Sequence, residues 1–268
     1  MKKIYFIGGG QMVEAIIRAV IHNNIFENKQ INVFDINHSR LNYLAETYGI
    51  DVVFNEKSGF RDADLIIIGV RPQDDIKTIS GLIDQYADQN ATIISIVAGV
   101  TLKKLESYLD NKFALVRVIP NTLTDTGFGY SAATLNNLAD KNKINSFLNG
   151  FGKVEYIEES LLDIFTGYGV AGPNYIYYFI ESLADAGVLA GLPRDLSWKI
   201  ALENTSGAVE MLKITGKHPR QLLDINNSPG GVGINALFEL NKSDFAAGLQ
   251  NSVLTAVKRT SQLGGETK

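Results

Sequence analysis

The stretch Ile4-Tyr5-Phe6-Ile7-Gly8-Gly9-Gly10-Gln11-Met12-Val13-Glu14-Ala15 decides the fold, because an apolar run breaks at glycines and resumes with the spacing of a helix. Four consecutive apolar residues suit a parallel strand buried on both faces. Met12, Ala15, Ile16, Ala19 and Val20 then recur every three or four residues and form one apolar helix face. Strand, tight turn and helix make the opening half of a βαβ unit. Gly8 and Gly10 stand where a dinucleotide fingerprint needs a tight turn and a position with no side chain beside a pyrophosphate. Gln11 and Met12 open the helix whose free N–H groups meet that charge. Val13 fills the third position, where close packing of helix on strand favours Gly or Ala, so the fingerprint is incomplete and depends on its context. A second apolar strand, Ile31 to Phe34, supplies that context by ending at Asp35, about where an acidic residue receives the adenosine ribose hydroxyls.

Working outward, Leu41, Leu44, Ala45 and Tyr48 mark a helix face that stops at Gly49. Strands follow at Ile50 to Val53, Asp64 to Val70, Thr92 to Val97 and Phe113 to Ile119. Helical spacing separates them over Ile76 to Tyr86 and Leu102 to Leu109. This alternation predicts an α/β fold with a parallel sheet covered on both faces. Ligands of such sheets collect beyond the carboxyl ends of the strands. Four punctuated tips mark that edge: Gly8-Gly9-Gly10, Val70-Arg71-Pro72-Gln73, Ala98-Gly99-Val100-Thr101 and Ile119-Pro120-Asn121-Thr122. Together they predict a lined crevice for the cofactor.

A piece from Gly127 to Ala133, a polar helix from Asn136 to Leu148 and a strand from Lys153 to Ile157 close the sheet. From Glu158 onward the apolar spacing is helical. The expected division is therefore a dinucleotide-binding domain over 1–157 and a helical domain over 158–268. Ser243 and Asp244 start the last helix, and Lys258, Arg259 and Gly264 finish it. The first long helix of the second domain carries Tyr175, Tyr177, Tyr178 and Phe179 besides its aliphatic stripe, more than one face can bury. A homo-oligomer joined through this domain is expected.

Bulk properties narrow the partners. The 268 residues are 45% hydrophobic and 20% charged, ordinary for a globular protein, and a net charge of −4 without a Lys/Arg cluster argues against nucleic acid. No apolar run reaches bilayer length, and the one after Met1-Lys2-Lys3 stops at Gly8, too short for a secretory signal. The absence of cysteine fits a reducing compartment, with the cytoplasm expected, and excludes disulfides, zinc thiolates and cysteine nucleophiles. His22, His38 and His218 lack metal-ligand spacing, so no metal is expected.

The four tips, in particular Gly8 to Met12, Val70 to Gln73, Ser95 to Thr101 and Arg117 to Thr122, resemble those of the pyrroline-5-carboxylate reductase family. Gly172-Pro173-Asn174-Tyr175 is similar to the family's Gly-Pro-Ala-Tyr helix start, His218-Pro219 with Leu222 to a recurring spacer, and Ser228-Pro229-Gly230-Gly231 to its Ser-Pro-Gly-Gly loop. The resemblance runs over nearly the whole chain in the same order. It implies a Rossmann domain followed by a helical dimerisation domain, with dimers that assemble further into decamers in many members. It also implies reduction of 1-pyrroline-5-carboxylate to proline by NADPH or NADH. The cofactor would be bound by Gly8, Gly10, Gln11, Met12, Asp35, Val70, Arg71, Pro72, Ala98, Gly99, Pro120 and Asn121. Asp35 favours NADH, whereas Arg40 and Asn37 could turn toward a 2'-phosphate; either cofactor is expected.

The substrate loops depart from the family pattern. Gly169 and Ala171 replace two serines, and Val232 and Gly233 replace a threonine pair after Gly231. A hydrogen bond to a carboxylate contributes about 1.5–3 kcal/mol, so these losses weaken substrate binding unless main-chain donors suffice. Gly230, Gly231, Val232 and Gly233 still open a helical pattern whose N–H groups form an anion site. Asn174 and Ser228 are the remaining polar candidates. Two alternatives stay open: a reductase of another small imine or keto acid, and a nucleotide-binding regulatory protein without turnover.

Overall fold

The computed structural model describes residues 3–263. Strands β1 (Ile4–Ile7), β2 (Ile31–Phe34) and β3 (Asp51–Val52) alternate with helices α1 (Gln11–His22) and α2 (His38–Tyr48). There follow β4 (Leu65–Ile68), α3 (Ile76–Tyr86), β5 (Thr92–Ser95), α4 (Leu102–Glu106), β6 (Ala114–Ile119), β7 (Tyr130–Leu135), α5 (Lys141–Asn149) and β8 (Lys153–Tyr156). They build one sheet of order β3-β2-β1-β4-β5-β6-β7-β8. Because neighbouring residues of a strand point to opposite faces, Ile4 and Phe6 of β1 enter one apolar cluster while Tyr5 and Ile7 enter another. Both faces are thus buried, which is why β1 reads as an unbroken apolar run.

The sheet is parallel from β3 through β6, as expected from the alternation, but β7 runs antiparallel to β6. Only a 3₁₀ turn over Thr122–Thr126 and a left-handed Gly127 join them, too short a path for the helical crossover that a parallel neighbour requires. β8 then lies parallel to β7 after the α5 crossover. α5 starts at Lys141 rather than near Asn136. The Asn136 side chain instead accepts from the N–H groups of Leu115, Leu138 and Ala139, and Asp140 caps the helix through the N–H of Asn142.

After β8, α6 (Leu162–Phe165) continues into a π-helical turn over Thr166–Val170. Then come α7 (Gly172–Leu189), α8 (Arg194–Thr215), α9 (Pro219–Asn226), α10 (Val232–Lys242) and α11 (Phe245–Leu263). By packing, the chain forms two compact units, one ending at Ala171 and taking back Thr255 onward, the other spanning Gly172–Leu254. The expected helix stop at Gly264 lies outside the described residues.

The second unit buries little on its own. Pro173 and Ala184 are the buried residues of α7, and α9 and α10 have none, while Tyr178 is 74% and Phe238 58% exposed. Ser197 on α8 donates to the Ala184 carbonyl at 2.8 Å and ties α8 to α7. Among the described residues, no helix is long and apolar enough to cross a membrane.

Candidate functional site

β1 sits between β2 and β4, so successive connections leave it in opposite directions and a crevice opens at its carboxyl end. Gly8 turns the chain there with φ 97°, and a Cβ on it would lie 2.7 Å from the Gly69 carbonyl oxygen; only glycine fits. Its N–H donates to the Phe34 carbonyl at 2.8 Å, and the Gly9 N–H donates to Asp35 Oδ2 at 2.7 Å. Gly10 is the N-cap of α1, where no side chain caps the helix and, beyond its chain neighbours, no atom lies within 4 Å of where a Cβ would stand. Exposed Gln11 and half-buried Met12 follow. An uncapped helix start before open space is a ready site for a pyrophosphate, so the residues present fit a dinucleotide.

Val13, the residue that breaks the fingerprint, is buried against Gly69, where a Cβ would come within 2.4 Å of Val13 Cγ2. The small residue needed for close packing has moved from the helix to the facing end of β4.

Asp35 lies beside this corner. Its Oδ1 accepts from the Asn37 N–H at 2.8 Å and its Oδ2 from Gly9, which leaves each oxygen a further lone pair for a ribose hydroxyl. A cluster that the sequence did not reveal stands behind it. Glu14, 4% exposed on α1, pairs with Arg40 and accepts from Tyr48 at 2.6 Å and Tyr43 at 3.1 Å. Arg40 Nε also donates to the Gly9 carbonyl at 2.6 Å. Burial pushes the Glu14 carboxyl up, but the hydrogen bonds from Tyr48 and Arg40, the Arg40 charge and Tyr43 outweigh it and hold the group below its usual range. Burial and the Glu14 carboxylate push the Tyr48 hydroxyl up to about 12. Periodicity gave no signal for this cluster, because Glu14 falls on the side of α1 away from Met12, Ala15, Ile16, Ala19 and Val20, where a charge reads as solvated; once buried, the carboxylate needs these partners.

The other expected tips lie on the same carboxyl edge, because β1, β4, β5 and β6 are mutually parallel. Val70 and Pro72 are half-buried, and the Arg71 side chain is exposed and held by Asp74 at 3.0 Å. Ala98 is half-buried, while Gly99 and Pro120 are buried. The Asn121 side chain is spent inside the protein: Oδ1 accepts from Leu123 and Tyr130 N–H groups and Nδ2 donates to the Gly169 carbonyl. It ties the tip of β6 to the π turn. Two residues earlier on the same face than Ile119, Arg117 is buried and ion-paired at 3.3 Å to both Glu159 and Asp163.

In the second unit, Ser228, Gly230, Gly231, Val232 and Gly233 form the turn into α10. The Gly231 N–H donates to the Ser228 carbonyl at 3.0 Å, and Asn235 Nδ2 donates back to the Gly231 carbonyl at 2.8 Å. Gly231 is the N-cap of α10 without a side-chain cap, so main-chain donors are available there. Val232 is 91% exposed. Asn174 belongs to a different feature, an apolar groove of about 680 Å³ that it lines with Tyr175, Phe179, Phe245 and Leu249 of α7 and α11.

A family model described as pyrroline-5-carboxylate reductase dimerisation matches residues 159–263, and one described as NADP oxidoreductase, coenzyme F420-dependent, matches residues 3–99. The pyrroline-5-carboxylate reductase of Glycine max is 35% identical over 261 residues, covering 96% of this chain and 94% of the relative. That of Escherichia coli is 31% identical and covers 98% of both. The crystal structure of Plasmodium falciparum pyrroline carboxylate reductase with NADP bound matches with a TM-score of 0.87 at 30% identity over 98% of both chains.

Proposed function

The chain belongs to the pyrroline-5-carboxylate reductase family, and from that premise we propose that the glycine corner of β1 and α1 holds the pyrophosphate of NADPH or NADH while the turn into α10 receives the substrate carboxylate. The protein is an NAD(P)H-dependent oxidoreductase that reduces 1-pyrroline-5-carboxylate to proline, the last step of proline biosynthesis. When bound, NAD(P)H supplies the hydride that the imine carbon receives while the nitrogen takes a proton. A cyclic imine can arrive already protonated from solution, so the protein's own work is placement.

The observation that carries the cofactor half is the uncapped start of α1 facing open space at the switch point of the sheet. Gln11 and Met12 offer N–H groups to the pyrophosphate, and Asp35 accepts from the ribose. Val70, Arg71, Pro72, Ala98, Gly99 and Pro120 line the crevice, and Asn121 fixes its far tip from within. In the second unit, Val232 and Gly233 present the α10 N–H groups to a carboxylate, and Ser228, whose carbonyl accepts from the Gly231 N–H, shapes the turn that presents them. On this reading residues 1–157 serve the nucleotide and 158–268 serve dimerisation and substrate.

The exposed apolar surface of α7, α8 and α11 supports a homodimer through the helical domain, with decamers as a further assembly. The cysteine-free chain fits the cytoplasm.

Loss of reduced-nicotinamide absorbance with pyrroline-5-carboxylate tests the assignment. Turnover with this substrate is expected. Turnover confined to other cyclic imines or keto acids, or nucleotide binding with no turnover at all, would overturn it.

A further inference from the structure

The ribose corner carries a selectivity device of its own, an inference that rests on the nucleotide-binding reading of Gly8 to Met12. Asp35 places a carboxylate there, which welcomes ribose hydroxyls and repels a 2'-phosphate. Ile36, the next residue, is 85% exposed and its side chain offers no donor. Asn37 has its Oδ1 engaged by the N–H groups of Ser39 and Arg40 as the α2 N-cap, and the His38 ring stands edge-on to Phe54 at 5.2 Å. Arg71 is held by Asp74 through its backbone N–H and its guanidinium. Arg40 is the cation best placed by sequence to greet a phosphate, yet it is drawn the other way: to the Gly9 carbonyl, to the buried Glu14 carboxylate and over the Tyr43 ring at 5.1 Å. Swinging it outward would leave Glu14 buried with two tyrosine hydroxyls and the longer contact to Arg18 at 3.5 Å.

We propose that Glu14 is a specificity-determining residue: by holding Arg40 away from the adenosine ribose, it leaves Asp35 and Ile36 to select the dinucleotide that lacks a 2'-phosphate, so that NADH is preferred to NADPH. Glu14 acts at one remove, through the position of a cation.

Equilibrium fluorescence titrations of the full-length protein with NADH and with NADPH decide it, with thermal melts recorded alongside. The wild type is expected to bind NADH about tenfold or more tightly than NADPH, as like charges at close range require. Glu14→Gln releases Arg40 and should raise NADPH affinity by about fivefold to tenfold, with NADH affinity held within about twofold. The double variant Glu14→Gln/Arg40→Gln replaces the ion pair with an amide pair, keeps the network neutral if the single variant does not fold, and should bind NADPH no better and no worse than the wild type. Wild-type preference for NADPH overturns the selectivity alone. So does a native-melting Glu14→Gln protein with unchanged NADPH affinity, or a tenfold loss of NADPH affinity in the double variant. A wild type that binds neither dinucleotide overturns the nucleotide-binding reading with it.

Discussion

Val13 and Gly69 form a single packing unit split between a helix and a strand end. Adding a methyl group at residue 69 drives a Cβ to within 2.4 Å of Val13 Cγ2. Gly69→Ala should therefore destabilise the protein by about 1–3 kcal/mol through overpacking. In the Val13→Ala background the same change should cost less, with a coupling of about 0.5–3 kcal/mol in a urea double-mutant cycle; strictly additive changes would contradict the packing argument. Glu14 makes a pH prediction. Its folded-state pKa lies below the ordinary value of 4.5, so its stabilisation is present above that value and is lost as pH falls through the folded pKa. Below pH 4.5 the urea midpoint of the wild type should fall more steeply than that of Glu14→Gln; parallel curves would remove the role given to the network. On the substrate side, Val232 is 91% exposed, so Val232→Thr adds a hydroxyl at the α10 start without displacing anything. It should lower KM about threefold to tenfold with kcat little changed, the effect of one partly solvated hydrogen bond. Threonine at 233 asks more, because a Cβ there would lie 2.4 Å from Asn227 Oδ1 and that side chain would have to turn aside. At this scale the turn at Gly8 and the helix start at Gly10 were legible because they depend on local backbone geometry. The partners of Glu14 were not, since Arg40, Tyr43 and Tyr48 arrive from another helix and periodicity names a buried face without naming what meets it.

Elements were legible where burial forces a pattern. The continuous apolar runs of β1 and β4 identify strands covered on both sides, and the glycine breaks locate their ends. Strand direction is not written in such a pattern. β7 reverses because the link from Ile119 to Tyr130 is short, a fact about connection length and not about side chains. α5 begins late because Asn136 is used by backbone groups of β6 and its own turn. Arg117, a charge in the middle of an apolar strand, is the sequence mark of how α6 is attached: its guanidinium holds Glu159 and Asp163, whose side chains remain 30% and 31% exposed. Arg117→Met leaves both carboxylates without their cation but able to take up water, Glu159 keeping the Leu102 N–H. The expected loss is roughly 2–3 kcal/mol, below the range for a fully buried pair. A thermal melt unchanged from the wild type would show that α6 does not depend on these pairs.

For the whole molecule, the second unit defines what remains exposed. The sequence announced this through an aromatic-rich helix too apolar for one buried face, and the structure leaves Tyr178 74%, Leu254 66% and Phe238 58% exposed in the single chain. Burying a large apolar side chain contributes about 1.5–3 kcal/mol, so a handful of them suffices for a stable association. Phe179 and Leu249, which line the α7–α11 groove at 39% and 43% exposure, are direct probes of that association. Replacing both with Glu removes two apolar contacts and brings charge to the same face, weakening dimerisation by at least a hundredfold on the relation of about 1.4 kcal/mol per tenfold. Sedimentation equilibrium should find the wild type oligomeric at micromolar concentration and the double variant shifted toward monomer. The wild-type melting temperature should also rise with protein concentration, because association stabilises the folded chain by mass action. A wild type that sediments as a monomer, with a melting temperature independent of concentration, would mean that these faces stay in water and that their apolar character answers to something other than a second copy of the chain.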